Sequence, residues 1–71
     1  MRILLRHKDT GEYYRTENQW TSQAGEARDF ESSAAALGFC VEARLREVEI
    51  LLAFDDARYN IRLPLHTGPD G

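Results

Sequence analysis

Cys40 is the only cysteine of the 71-residue chain, and His7 and His66 are its only histidines. A thiol becomes a useful nucleophile when a neighbouring His, a cation or a helix N-terminus stabilises its thiolate. Cys40 lies between Phe39 and Val41 in the middle of a segment with helical spacing, so it reads as a buried, inert thiol. A zinc site needs three or four converging ligands, which two distant histidines and one cysteine do not offer. No metal or cofactor is expected. Asp55 and Asp56 are adjacent, whereas paired catalytic carboxylates need separation and unlike environments; they read as turn residues. Gly11, Gly25 and Gly38 are scattered and build no phosphate-cradling loop. No convergent catalytic set emerges, and the chain reads as a non-enzyme.

The composition sets further bounds. Hydrophobic residues make up 42% and charged residues 30%, enough for one small core and one domain. The longest uncharged apolar run, Ile50 to Phe54, is far short of the roughly 20 residues a membrane-spanning helix needs. A net charge of −3 argues against a surface that grips a phosphate backbone everywhere. A single cysteine permits no internal disulfide, which favours a reducing cytoplasm. Arg2, Arg6 and Lys8 precede no long apolar stretch, so the N-terminus is not a signal peptide. Met1 leads straight into a strand-like run, as in a complete short reading frame.

The elements that must position any site follow from local pattern. Ile3 to His7 reads as a strand, and Lys8 to Glu12 as a turn in which Gly11 supplies a positive φ. Tyr13 to Arg15 reads as a second strand and Glu17-Asn18-Gln19 as a second turn, with Trp20 and Thr21 behind it. Gln23 to Arg28 fits one helical turn pointing Ala27 inward. Ser32 or Ser33 is the natural N-cap of the main helix. Ala36, Phe39, Cys40 and Ala43 recur at helical spacing, with Leu37 and Val41 widening the stripe. Gly38 would let this helix approach a neighbour closely. Val48 to Phe54 alternates as a third strand, and Tyr59 to Leu65 as a fourth.

This order, β-β-α-β-β, defines an α+β fold: a four-stranded antiparallel sheet with one helix on one face. Pro64 cannot donate to a ladder and belongs on an edge strand. The short, polar second strand suits the other edge, so the strand order is 2-1-3-4. Residues 1–65 form the domain and 66–71 a frayed tail. The expected core is Ile3, Leu5, Phe30, Phe39, Cys40, Val48, Ile50, Leu52, Phe54, Ile61 and Leu63. Trp20 caps it against Phe30 and the helix. Trp20-Thr21, Glu26-Ala27-x-x-Phe30, Ser32, Ala36 and the strand Val48 to Phe54 together resemble short uncharacterised bacterial domains over about residues 3 to 65. Those residues are structural, and the resemblance implies a fold without an activity. Such domains often carry Gly where the helix ends, a place that Arg44 holds here.

One surface stands out on this plan. With Ile3 and Leu5 facing the helix, Arg2, Leu4, Arg6 and Lys8 face away, joined by Glu49, Leu51 and Ala53 and by Asn60, Arg62 and Pro64. One of Tyr13 and Tyr14 joins them; the hairpin register does not decide which. An open sheet face with Leu4 and Leu51 at its centre and Arg2, Arg6 and Arg62 around them has the apolar centre and charged rim of a protein interface. The expected function is therefore a small non-catalytic interaction module. It would bind another protein or itself, as a homodimer, through this face, without contacting a membrane. The alternative is nucleic-acid binding, with the arginines on phosphates and a tyrosine stacked on a base.

Overall fold

Alternating apolar residues in two segments, Ile3/Leu5 and Val48/Ile50/Leu52, pair to make the centre of the fold. The computed structural model describes residues 1–64. Strand β1 (Arg2–His7) runs antiparallel to β4 (Val48–Ala53), with Ile3 opposite Leu52 and Leu5 opposite Ile50. Strand β2 (Tyr13–Thr16) pairs with the free side of β1, and β5 (Ile61–Pro64) with the free side of β4. A further strand, β3 (Gln19–Thr21), pairs with β2, so the sheet has five antiparallel strands in the order β3-β2-β1-β4-β5.

The α+β class and the relative order of the four expected strands stand, with one strand added. The addition corrects the placing of the second strand at an edge: β2 is interior, and β3 is the edge. Glu17 and Asn18 have φ of 48° and 64°. Positive φ at both central positions is what a two-residue type I′ hairpin turn requires. This turn folds Trp20 back onto Tyr14. A three-residue strand is too short to show alternation, so its pairing is dictated by the turn and not by its own pattern.

Helix α1 (Ser33–Ala43) begins where Ser32 Oγ accepts from the amide of Ala35 at 3.0 Å. It ends in a Schellman arrangement, with Arg44 N–H donating to Val41 O and Leu45 N–H to Cys40 O. Arg44 occupies the left-handed position there, with φ 55° and ψ 40°. The helix lies over β1 and β4. Between sheet and helix, Ile3, Leu5, Tyr14, Phe30, Ala36, Cys40, Val48 and Ile50 are buried, and Trp20, Phe39, Leu45, Leu52 and Leu63 pack partly buried against them. Tyr14, not Tyr13, is the core tyrosine. Trp20 meets Tyr14 and His7 edge-on, with ring centroids 5.5 and 5.3 Å away.

Of the expected core, Phe39, Leu52 and Leu63 are only partly buried and two residues are exposed, Phe54 at 38% and Ile61 at 47%. The helix does not reach over them. Nor does Gly38 serve a close approach, since a Cβ at this position would meet nothing within 4 Å. The fourth expected strand is shorter than its pattern suggested, because Ala57–Tyr59 forms a 3-10 turn. Leu65 and the expected tail 66–71 lie outside the described residues.

Candidate interaction surface

The side chains on the two sheet faces divide as the alternation predicts. Arg2, Leu4 and Arg6 share the face away from the helix with Glu49, Leu51 and Arg62, through the pairs Leu4 with Leu51, Arg6 with Glu49, and Leu51 with Arg62. That face is nevertheless not open at its centre. The segment after β3 forms a 3-10 turn at Ala24–Glu26 and folds across it. Leu4, Ala27 and Leu51 form a second buried cluster, with Tyr13, Ala24 and Ala53 packed around it. Leu4 is fully buried and Leu51 is 6% exposed. The expectation of an exposed apolar spot here is thereby corrected: a small second core lies where it was placed.

The arginines explain the closure. Arg2 donates from Nη1 to Ala24 O at 2.6 Å and from Nη2 to Ala27 O at 2.8 Å. It thereby holds the covering segment by its carbonyls. Asp29 Oδ1 accepts from Ile3 N, and Phe30 N donates to Ile3 O, which ties the segment to the start of β1. Thr21 Oγ1 accepts from Gln23 N and donates to Glu26 Oε1, closing the turn from its other side. Arg6 Nη1 pairs with Glu49 Oε2 at 2.9 Å, and Glu49 is itself buried. The guanidinium of Arg6 also passes over Gly11 (φ 77°), where a Cβ would lie 3.2 Å from Arg6 Nη2. Of the five residues singled out in the sequence, Arg62 alone is exposed, and it forms no ion pair among the described residues.

The residues with reactive chemistry remain separate. Burial pushes the Cys40 thiol up to about 11, so it stays protonated and unreactive near neutral pH. His7 Nδ1 faces the amides of Asp9 and Thr10 at 3.2 and 3.4 Å, organising the β1–β2 turn. Asp56 accepts from Arg58 N–H and pairs with its guanidinium at 2.7 Å, which holds its carboxyl below the usual range. This is turn chemistry. No group of three His, Cys, Asp or Glu able to hold a metal occurs among the described residues. A shallow groove of about 520 Å³ lies between α1 and residues 28–31. Its Arg28 guanidinium stacks 4.8 and 4.9 Å from the Phe30 and Phe39 ring centroids.

The surface that sequence reasoning missed is on the helix side of the sheet. Helix α1 carries one charged residue, Glu42, yet only Ala36 and Cys40 of its residues are buried. A helix apolar on all sides is ordinarily covered on all sides. Phe39 leans toward β2 and touches Tyr14 at 5.0 Å. Leu37 and Val41 lie about 160° around the helix from Phe39, on the side turned away from β2. They are 40% and 57% exposed. The sheet beside them presents Leu52 and Leu63, half-buried, and Phe54 and Ile61, exposed. Extending the β1–β4 register places Met1 opposite Phe54. The β4–β5 register sets Ile61 beside Leu52 and Leu63 beside Ile50, so the outer strands carry an apolar ledge, and Leu37 and Val41 add exposed apolar surface on α1. The signal in the sequence was that Leu37 and Val41 widen the helical stripe beyond what one sheet can bury.

Comparison with known proteins finds no matching family model, no similar curated protein and no similar solved structure. Among the described residues, no helix is long and apolar enough to cross a membrane.

Proposed function

We propose that the chain is a small non-catalytic protein-interaction module that docks its partner on the ledge formed by Leu37, Val41, Phe54 and Ile61. The observation that supports this reading is that Leu37 and Val41 on α1 and Phe54 and Ile61 beside the outer strands are all exposed, with Ile61 set next to half-buried Leu52 by the β4–β5 register. An apolar patch of several side chains costs free energy in water and is retained where something covers it. The surface differs from the one the sequence suggested, while the class of function is the same. Nucleic-acid binding draws little support from the opposite face. Arg2 and Arg6 turn inward to carbonyls and to Glu49, which removes charge that a phosphate-gripping face would use.

Photo-crosslinking side chains placed at Val41 and, as a control, at exposed Arg15 would test this in cells. Discrete adducts are expected from Val41, abolished by Ile61→Asp, with none from Arg15. Adducts as abundant from Arg15 as from Val41 would overturn the reading.

A further inference from the structure

We infer that His7 is an acid-sensitive latch of the β1–β2 turn: its neutral ring holds the turn closed, and protonation of the ring releases it. The inference is independent of the ledge. Strand β1 ends at His7, and the chain returns to β2 through His7 N–H donating to Glu12 O at 2.7 Å and Gly11 N–H donating to His7 O at 2.9 Å. Within this loop the amides of Asp9 and Thr10 donate to no backbone carbonyl. They donate instead to His7 Nδ1, at 3.2 and 3.4 Å. A neutral imidazole has one acceptor nitrogen, so a ring that accepts at Nδ1 carries its proton on Nε2. The ring is half-buried, and Trp20 meets it edge-on with centroids 5.3 Å apart, which holds its orientation. An imidazolium is a donor at both nitrogens. Protonation of Nδ1 therefore withdraws the acceptor and points a third N–H at the two amides, which must turn to water.

The charges around the ring leave this acceptor requirement in control. The turn brings Lys8, Asp9 and Glu12, and the α1–β4 connection brings Arg44, Arg46 and Glu47, so cations and anions balance. Strands β2 and β3 present Tyr14 and Trp20 on this side, and β4 sets Val48 opposite His7. Arg6 and Glu49, next to these on β1 and β4, pair with each other on the opposite face. The turn is also fastened elsewhere: Lys8 N–H donates to Glu47 O at 2.7 Å, which ties it to the connection ahead of β4. The latch thus sits where one proton acts on the join between the β1–β2 turn and that connection. The net contribution of one neutral hydrogen bond corresponds to about two- to tenfold in an opening equilibrium.

Amide exchange of the full chain, read by NMR and divided by the intrinsic rate at each pH, tests this. The imidazole signals of His7 report the state of the ring in the same sample. Between about pH 8 and pH 5, the span in which a histidine changes charge, protection at Asp9 and Thr10 should fall about three- to tenfold in step with the ring signals. His7→Asn is the decisive variant. An Asn carboxamide oxygen accepts from amides a short way on in a turn, and it does not titrate in this span. Protection at Asp9 and Thr10 should therefore survive in His7→Asn and stay flat with pH, whereas His7→Ala should lose it at every pH. Three results would each overturn the inference: a ring that titrates while protection at Asp9 and Thr10 holds, a ring that stays neutral down to pH 5, or the same fall in His7→Asn as in the parent.

Discussion

Leu4→Ala tests whether the sheet face away from the helix is closed. Leu4 is fully buried against Leu51 under the segment that carries Ala24 and Ala27. Removing its outer carbons forfeits roughly 2.4 kcal/mol of transfer free energy at about 0.8 per methylene. A residual cavity adds about 24 cal/mol per Å³. The covering residues are alanines on a short turn, which can settle into part of the void, so the cavity contribution should be small. The expected total is about 3 kcal/mol, within the observed range for buried Leu→Ala changes. A domain of this length holds about 4–10 kcal/mol in all, so the variant should lose a third or more of its stability. Urea unfolding followed by fluorescence of Trp20 reads this, because the sole tryptophan packs on Tyr14 and His7. With a slope of about 1.5 kcal/mol/M, the midpoint should fall by about 2 M. A loss below about 1 kcal/mol would mean that water already reaches Leu4, and that Arg2 does not hold the 24–27 segment in place. Leu51→Glu, harmless if this face were open, should prevent folding.

Two further outcomes are expected. Arg44→Gly should stabilise the protein by about 1 kcal/mol, measured as a raised unfolding midpoint, because Arg44 sits at φ 55° where a side chain is strained and glycine is not. Cys40 should label slowly with a thiol reagent in the native state and quickly in denaturant, since burial raises its pKa to about 11. The protonated thiol is the form the fold favours, so this contribution to stability is complete below the unfolded value near 9. It is lost as pH rises through about 11. Alkaline unfolding that is unchanged in Cys40→Ala would show that the thiol plays no part in it.

What local pattern determines here is the identity and facing of the main elements. Alternation in Val48 to Phe54 sets which residues look toward the helix, and pairing confirms that division strand by strand. Ser32 is legible as a cap because its hydroxyl needs only the amide three residues on. That the helix ends at Arg44 was not legible, because a residue other than glycine in the left-handed position carries no local signal. Strand β3 was not legible as a strand, because three residues cannot display a period; the positive φ at Glu17 and Asn18 makes the hairpin. The site depended on coverage, which is a tertiary property. Alternation says that Leu4 and Leu51 share a face, but not that a 3-10 turn pinned by Arg2 will lie over them. It says equally that Phe54 and Ile61 face the helix, but not that one helix resting on β1 and β4 stops short of β5. A single helix is about 10 Å wide, whereas five strands spaced about 4.8 Å apart are roughly twice that. Which strands it leaves bare is decided by where its buried face, Ala36 and Cys40, finds its partners.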